Sequence, residues 1–351
     1  MNPEPYFSVI VCLYNAEKYF SDGIACMSCQ TFRDFELILV DDGSTDGTAA
    51  LCDACAGIGC GIKVIHQQNT GLGGARNRGL GAAAGRYVCF FDIDDKVGGD
   101  WLERLHDRLE ACSGTELLIY GYREHSTVYG SVAEFSFKDR TYRTNGELRD
   151  AYAEHLSGMR FNNGFAWNKV YRLDFLRDNG LAFPDARIQQ DELFNIEVYK
   201  KVERAASVSD VLYDYFVYEG GNIRSAFIPE RTGVFTGVRA AFLELASCWD
   251  LQDEDFLLYV HGRYIRSLFF NGNKTSGCRE KTAYWRTVMS MDEARESARR
   301  ILDADGKGGF ILKAWCRAIE RKSLCSMKLL QGAEDVKRGA GRIVRKICGN
   351  V

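Results

Sequence analysis

Short apolar runs alternate with longer amphipathic stretches along the first 120 residues. Near-continuous runs of β-branched, aromatic and aliphatic side chains are typical of strands that are covered on both faces of a sheet. The runs predict five strands: Phe7–Cys12, Glu36–Val40, Ile62–Ile65, Tyr87–Phe91 and Leu117–Tyr120. The stretches between them predict four helices: Ala16–Cys29, Asp46–Ala56, Gly74–Ala84 and Asp100–Cys112. Strands that alternate with helices predict an α/β fold with a mostly parallel sheet.

The rest of the chain changes its pattern near residue 229. Between residues 121 and 228 strand-like and helical patterns are mixed. The elements predicted there are a hairpin at Val128–Phe137, helices at Leu173–Asn179 and Asp191–Val202, and an aromatic strand at Val211–Tyr218. From residue 229 onward the apolar residues have helical spacing almost throughout. We therefore expect an α/β region over residues 1–228 and a helical C-terminal region over residues 229–351.

The composition excludes several classes of protein. The 351 residues include 45 Lys and Arg against 48 Asp and Glu, and 46% are apolar. This balance of charge gives no electrostatic case for a nucleic-acid partner, and the apolar fraction is that of a globular protein. The sequence has no run of about 18 uncharged apolar residues, so no membrane-spanning helix is expected. The first residues lack the basic and then apolar order of a secretory signal, so a cytoplasmic location is expected.

Polar and glycine residues follow each of the first four predicted strands. In an open parallel sheet these positions meet outside the carboxyl ends of the strands, which is where ligands bind. The residues are Tyr14 and Asn15 after the first strand, Asp41 and Asp42 after the second, Asn69, Gly71 and Arg76 after the third, and Asp92, Asp94 and Asp95 after the fourth. Four such loops at one edge predict a site for a polar or polyanionic ligand.

The acidic residues after the fourth strand indicate a cation site. In an extended segment, residues two apart point the same way, so Asp92 and Asp94 are expected to face together. Two carboxylates that close repel each other unless a cation lies between them. Mg²⁺ commonly binds one or two carboxylates together with substrate phosphates. The sequence therefore indicates a metal–diphosphate site, and a solvated turn before a helix is the alternative.

The glycine-rich stretch from Gly71 to Arg76 is not a dinucleotide-binding fingerprint. Arg76 stands where the third glycine of that fingerprint belongs, and the stretch follows the third strand instead of the first. An arginine near the start of a helix can instead bind phosphate or carboxylate. Arg76 is therefore a candidate ligand-binding residue.

Taken together, these segments resemble the signature of glycosyltransferase family 2, whose members have the GT-A (Rossmann-like) fold. The matching segments are Phe7–Asn15, Val40–Thr48, Asn69–Gly79 and Phe91–Asp95. Trp167–Arg172 and Gln190–Phe194 resemble later motifs of the bacterial polysaccharide-type members. The resemblance therefore extends to about residue 230.

The resemblance implies an inverting glycosyltransferase that uses a nucleotide-sugar, most often a UDP-sugar. The acceptor would be a hydroxyl group of a glycan or lipid-linked saccharide in cell-surface polysaccharide biosynthesis, and the cofactor would be Mn²⁺ or Mg²⁺. The catalytic domain would cover residues 1–228, with a nucleotide-sugar-binding half over residues 1–120 and an acceptor half over residues 121–228.

Carried over by position, the resemblance also implies a role for each candidate residue after the strands. Tyr14 would lie along the nucleobase, and Asp42 would accept a hydrogen bond from a base N–H. Asp92 would lie near the ribose, and Asp94 would be the main metal ligand. The nucleotide pocket would also be lined by Asn15, Asp41, Asn69, Gly71 and Arg76.

Asp191 would be the catalytic base. The family usually has Glu before this aspartate, and Gln190 stands there in this chain. A carboxylate suits the role because a single displacement needs a group that takes the proton of the attacking hydroxyl. The alternative is an acid that interacts favourably with the dipole at the start of a helix.

Two other functions fit parts of the same pattern. A degenerate family member would bind a nucleotide or a glycan without catalysis, although the retained Asp92, Asp94 and Asp191 argue against it. A nucleotidyltransferase would need a phosphate-binding loop rich in glycine and lysine after the first strand. Tyr14–Glu17 stands there instead.

The C-terminal segment Arg321–Val351 is basic, with eight Lys and Arg against two Asp and Glu. Its apolar residues recur at helical spacing, so a basic amphipathic helix is predicted. Such a helix either packs against the protein or lies on an anionic membrane surface. A peripheral membrane contact is therefore one of two expectations for this segment.

Overall fold

The computed structural model describes residues 4–56, 61–127, 130–157, 164–218, 227–228, 230–251, 253–275, 277–304 and 309–332. The chain divides into two compact units, Met1–Asn222 and Ile223–Val351, which we call the sheet unit and the helical unit. The sheet unit ends shortly before the predicted boundary at residue 228. The predicted basic helix falls mostly on residues 333–351, which lie outside the described residues.

The sheet unit is built on one mixed sheet, which has ten strands among the described residues. The strands are β1 (Phe7–Leu13), β2 (Phe35–Asp41), β3 (Ile62–His66), β4 (Tyr87–Phe90), β5 (Lys96–Val97), β6 (Leu117–Ser126), β7 (Ser131–Phe135), β8 (Arg140–Tyr142), β9 (Lys169–Arg172) and β10 (Ala205–Val217). Their order is β3–β2–β1–β4–β9–β6–β10–β5, with β7 paired to β6 and β8 paired to β10. The prediction of a mostly parallel α/β sheet is confirmed.

Helices flank this sheet. They are α1 (Glu17–Ser28), α2 (Thr48–Ala56), α3 (Gly71–Ala82), α4 (Trp101–Ala111), α5 (Asn145–Ser157), α6 (Leu173–Asp178) and α7 (Gln190–Lys201). In α4 the residues Trp101, Leu102, Leu105 and Leu109 recur at spacings of one helical turn, and all four are buried. The sequence analysis predicts no helix at α5, although Leu148, Ala151, Tyr152 and Leu156 recur there at helical spacing.

Strand β9 runs against its neighbours in the middle of the sheet. It pairs antiparallel with both β4 and β6. Because β4 and β6 are both antiparallel to β9, they are parallel to each other. Strands β6 and β10 therefore have the same direction as β1 and β4. At the carboxyl edge of the sheet, Tyr213 and Asp214 of β10 pair with Val97 and Lys96 of β5. The sheet therefore places the end of β10 beside the acidic loop that follows β4.

The central strands are buried along almost their whole length. Every residue of β4 is buried, and so are six of the seven residues of β1. Strands that are covered on both faces contain near-continuous apolar runs, which is why the sequence pattern locates these strands closely. The acidic residues of the candidate site come at or just after the carboxyl ends of β2 and β4, and this sets the position of the site.

The helical unit contains α8 (Arg231–Cys248), α9 (Glu254–Gly272), α10 (Cys278–Ser290), α11 (Asp292–Asp303) and α12 (Phe310–Glu320). Asp253 caps α9, because its carboxylate accepts hydrogen bonds from the backbone N–H groups of Asp255 and Phe256. The core includes the aromatic rings of Phe269 and Trp315, whose centroids are 3.5 Å apart. The predicted helical C-terminal region is confirmed. Among the described residues, no helix combines the length and apolar character that crossing a bilayer requires.

Candidate functional site

The loops after β1 and β2 are joined to each other by Asn15. Its backbone has a positive φ of 50°, which asparagine tolerates better than most residues. The backbone N–H of Asn15 donates to Ser44 Oγ at 3.0 Å, and its side-chain oxygen accepts from the Thr45 N–H at 2.8 Å. Tyr14 beside it has an exposed side chain, with 53% of its area accessible. Asn15 therefore shapes the loop in which Tyr14 is presented.

Asp41 is buried at the end of β2 and serves the loop structure. Its carboxylate accepts from the Ser44 N–H at 3.1 Å and lies 2.9 Å from His66 Nδ1. Burial opposes its ionisation, but the hydrogen bonds from Ser44 and His66 hold the pKa of Asp41 below its usual value. Hydrogen bonds to Asp41 and Asp53 in turn raise the pKa of His66. Asp41 therefore stays ionised near neutral pH and supports the loop around Ser44.

Asp42 connects the end of β2 to the start of α3. Its Oδ1 accepts from Gln67 Nε2 at 2.7 Å and from the Thr70 N–H at 2.9 Å. Its Oδ2 accepts from the Gly71 N–H at 2.8 Å. Gly71 has a φ of +80°, which disfavours any residue with a Cβ atom. The role predicted for Asp42, accepting from a nucleobase, thus requires a base N–H to share or replace these donors.

Arg76 is a deeply buried charged residue of the site, with 1% of its area exposed. Its guanidinium carbon lies 5.5 Å from the ring centroid of Phe90 and 5.3 Å from that of Phe183. Its Nη2 donates to Asp92 Oδ1 at 3.2 Å, while Nη1 has no hydrogen-bond partner among the described residues. Burial opposes the charge, but Asp92 and Asp191 raise the pKa of Arg76 above its usual value. Arg76 is thus a buried cation with a free donor.

The acidic loop after β4 is a turn and not the extended segment that the sequence pattern assumes, because the Asp95 N–H donates to the Asp92 carbonyl at 3.0 Å. Asp92 and Asp94 are nevertheless both partly exposed, whereas Ile93 and Asp95 are buried. Asp95 faces the sheet, where its carboxylate accepts from Tyr213 Oη at 3.0 Å and from the Phe216 N–H at 2.8 Å. These bonds fix the turn and leave Asp92 and Asp94 for a ligand.

Asp92 and Asp94 have the donor chemistry of a divalent cation site. Burial, followed by the negative charge of Asp92, raises the pKa of Asp94 to about 6. A cation would relieve this repulsion, and carboxylate oxygens are ligands that Mg²⁺ and Mn²⁺ accept. Among the described residues, no three His, Cys, Asp or Glu side chains converge as a complete metal site.

Asp191 lies in the first turn of α7, two residues after Gln189, whose φ is 57°. Its Oδ1 accepts from the Glu192 N–H at 3.1 Å. Burial raises the pKa of Asp191, and the positive charge of Arg76 opposes this effect. Helix α3 approaches α7 closely, since a Cβ atom at Gly73 would lie 3.3 Å from Gln190 Cγ. The fold thus brings a residue far along the sequence to the same charged centre as Asp92.

One residue of this centre is given no role by the sequence analysis. Lys169 of β9 is completely buried, and its Nζ donates to the Phe165 carbonyl at 2.6 Å and to Asn168 Oδ1 at 2.9 Å. Burial lowers the pKa of Lys169 to about 7, although Asp191 and Glu192 oppose this. The only sequence signal is that Lys169 stands within the segment Trp167–Arg172, which resembles a family motif. Asn69, by contrast, is exposed at the rim of the loops, as its predicted role requires.

Comparison with known proteins agrees with this geometry. Residues 8–163 match the family model described as Glycosyl transferase family 2. Over 222 residues the chain is 30% identical to EpsH of Bacillus subtilis (strain 168), a protein named as a glycosyltransferase, and the match covers 61% of each chain. Over 231 residues it is 30% identical to the poly(ribitol-phosphate) β-N-acetylglucosaminyltransferase TarS of Staphylococcus aureus, which covers 64% of this chain and 38% of that protein.

The structural comparison reaches further along the chain. The crystal structure of TarS residues 1–349 in complex with UDP-GlcNAc has a TM-score of 0.70 to this chain at 22% identity, covering 95% of this chain and 92% of the other. This likeness shows a shared GT-A fold. Residues 8–163 thus resemble a glycosyltransferase family 2 domain, in agreement with the resemblance seen in the sequence, and the predicted fold is confirmed. The chain spans about three fifths of the length of EpsH.

Proposed function

We propose that the protein is an inverting glycosyltransferase that moves a sugar from a nucleotide-sugar to a hydroxyl group of a glycan or lipid-linked acceptor in cell-surface polysaccharide biosynthesis. The observation that carries the proposal is the buried Arg76, whose charge acts on both Asp92 and Asp191. Asp92 belongs to the loop where the donor is expected to bind, and Asp191 is the candidate base. The UDP-GlcNAc in the TarS complex supports a UDP-sugar as donor.

The donor would bind across the loops after β1, β2 and β4. Asp94, with Asp92, would hold Mn²⁺ or Mg²⁺, and the bound cation would neutralise the charge that develops on the leaving diphosphate. The free Nη1 of Arg76 is a buried donor that a phosphate or ribose oxygen of the ligand would satisfy. Tyr14 and Asn69, whose side chains are exposed, would cover the nucleobase and line the pocket.

Asp191 would act on the acceptor. As the acceptor oxygen forms its bond to the anomeric carbon, the bond from that carbon to the diphosphate oxygen breaks, and the carboxylate of Asp191 takes the hydroxyl proton. Attack from the face opposite the diphosphate inverts the configuration. Burial raises the pKa of Asp191 toward the range in which a general base works best near neutral pH.

The test replaces Asp191 with asparagine, which keeps the size of the side chain and removes its basicity. Asp191→Asn should lower turnover of a UDP-sugar by roughly 10²- to 10⁴-fold while UDP affinity stays unchanged. Product configuration read by NMR should be opposite to that of the donor. Turnover is measured with a panel of UDP-sugars, with and without Mn²⁺, and UDP affinity is measured by calorimetry.

Asp174→Asn is the matched control, because Asp174 is also an acid in the first turn of a helix, α6, and is exposed. It should leave turnover unchanged. An Asp191→Asn variant that retains its turnover would remove Asp191 from the role of base. A wild-type protein that binds UDP with Mn²⁺ and turns over no donor in the panel would support the non-catalytic alternative instead.

A further inference from the structure

Lys169 is an unusual feature of the sheet unit, because a lysine is almost never fully buried unless it is paired. It begins β9 and lies opposite Ile119 of β6 in the sheet register. None of its surface is accessible to solvent. Removing an ammonium group from water carries a penalty of several kcal/mol that hydrogen bonds to neutral groups repay only in part. The position therefore calls for a role that needs the charge.

Lys169 interacts electrostatically with the first turn of α7. The negative charges of Asp191 and Glu192 both favour its protonated form against the effect of burial. Asp191 is in turn surrounded by charged and titratable groups from four parts of the sheet unit. These are Arg76 on α3, Asp92 after β4, Tyr171 and Lys169 on β9, and Glu192 on α7. Arg76, together with Lys169 in its protonated form, therefore offsets the anions around Asp191.

Lys169 also holds the segment that precedes β9. Its Nζ donates to the Phe165 carbonyl at 2.6 Å, and Asn195 Nδ2 donates to the carbonyls of Gly164 at 3.0 Å and Phe165 at 3.2 Å. Asn195 lies one helical turn after Asp191 on the same face of α7. The ring of Phe165 stacks on Trp167, with centroids 4.5 Å apart. Lys169 and Asn195, which lies one turn after the candidate base, thus hold the same carbonyl of the aromatic segment.

We propose that Lys169 is a positioning residue that places a buried positive charge beside Asp191, keeps that carboxylate ready to accept a proton, and fixes the Gly164–Phe165 segment next to it. This inference rests on the proposed function, in which Asp191 is the general base. It assigns to Lys169 no contact with the reacting atoms. Its effect on catalysis is therefore expected in the pH dependence of turnover and not in the affinity for the donor.

The test uses the full chain with three substitutions at this position. Lys169→Met removes the charge and the donor, Lys169→Gln removes the charge and keeps a donor for the Phe165 carbonyl, and Lys169→Arg keeps the charge. Loss of a nearby positive charge raises the pKa of a carboxylate, so the acid limb of the kcat profile should move to higher pH by roughly one unit in the Met and Gln variants. UDP affinity measured by calorimetry should stay within about twofold of wild type. The Arg variant should keep the acid limb of the wild type.

Each other outcome overturns the proposal. A Gln variant with the wild-type profile would show that the donor matters and the charge does not. A uniform fall in kcat with an unmoved acid limb, or a failure of both the Met and Gln variants to fold, would assign Lys169 a purely structural role. Asp191→Asn keeps the two proposals apart: if that variant loses turnover while the acid limb ignores Lys169, only the inference about Lys169 fails.

Discussion

A buried polar network around Ser297 in the helical unit differs from the charged centre around Arg76 in the sheet unit in how fully its groups are paired. In the helical unit, Arg239 donates from Nε to Ser297 Oγ at 2.8 Å and from Nη2 to Glu296 at 2.6 Å. His261 Nδ1 lies 3.0 Å from the same Ser297 Oγ. Burial, with the charge of Arg239, lowers the pKa of His261 to about 4, so the imidazole is neutral at physiological pH. This network matches its donors to acceptors from its own chain.

The charged centre of the sheet unit leaves some of its groups without hydrogen-bond or charge partners. Arg76 has a free Nη1, Asp94 is repelled by Asp92, and the ammonium of Lys169 is fully buried against neutral oxygen atoms. Unsatisfied buried groups destabilise a fold, so a chain that keeps them gains something else by doing so. The contrast teaches that the completed network of the helical unit serves stability, whereas the incomplete one of the sheet unit is open to a ligand.

Arg76→Met gives the largest expected effect and tests the incompletely paired centre of the sheet unit. Removal of one preorganised donor from a charged site typically lowers turnover by roughly 10²- to 10³-fold. We expect a loss of that size with UDP-sugar, together with a small change in melting temperature, because Asp92 is partly exposed and can regain water. Arg78→Met, on the exposed side of the same helix, is the control and should behave as wild type. Equal turnover in the two variants would remove Arg76 from the site.

Ser297→Ala tests the completed network of the helical unit. The hydroxyl is fully buried and is the shared partner of Arg239 and His261. Its loss leaves a buried Arg donor and a buried imidazole nitrogen without their partner, which should lower the free energy of unfolding by about 1–3 kcal/mol. Ser290→Ala, at an exposed hydroxyl at the end of α10, is the control. Urea unfolding measures the change. UDP affinity should not respond, and a loss of UDP binding without a loss of stability would contradict this division of roles.

The sequence predicts some strands of the sheet unit and misses others. The strands β1, β2 and β4 are predicted from their apolar runs, because a strand that is buried on both faces consists mostly of apolar residues. The short strands β5 and β9 are not, because Lys96–Val97 and Lys169–Arg172 carry no run of that kind and gain their partners only in the folded sheet. From the sequence pattern alone, a lysine is expected to be exposed. The burial of Lys169 results from the folded sheet, in which β9 lies between β4 and β6.

The candidate site shows the same limit. Position after a strand suffices to collect Asp41, Asp42, Asp92 and Asp94 at one edge, and the family resemblance adds Asp191. Neither source indicates that Asp41 and Asp42 are bound by their own loops or that Asp95 is held by Tyr213. Those contacts depend on turn geometry and on strand β10, which lies more than a hundred residues further along the chain. The fold class is thus predictable from local pattern, and the free donors of the site are not.

The smallest expected effect comes from substitutions at two glycines of α3. They separate the contribution of the backbone conformation from that of the side chains in the sheet unit. Neither Gly71 nor Gly81 has a neighbouring atom within 4 Å of an added Cβ, so both have room for a methyl group. Gly71 has a φ of +80° and donates its N–H to Asp42, so Gly71→Ala should destabilise the fold by about 1–2 kcal/mol and weaken UDP binding. Gly81 lies within regular α3, so Gly81→Ala should stabilise it by roughly 0.5–1 kcal/mol and leave UDP binding unchanged. Urea midpoints and UDP titration of the pair decide the matter. If both substitutions shift stability in the same direction, the left-handed backbone at the start of α3 is not what positions Asp42, and the open site owes its geometry to side chains alone.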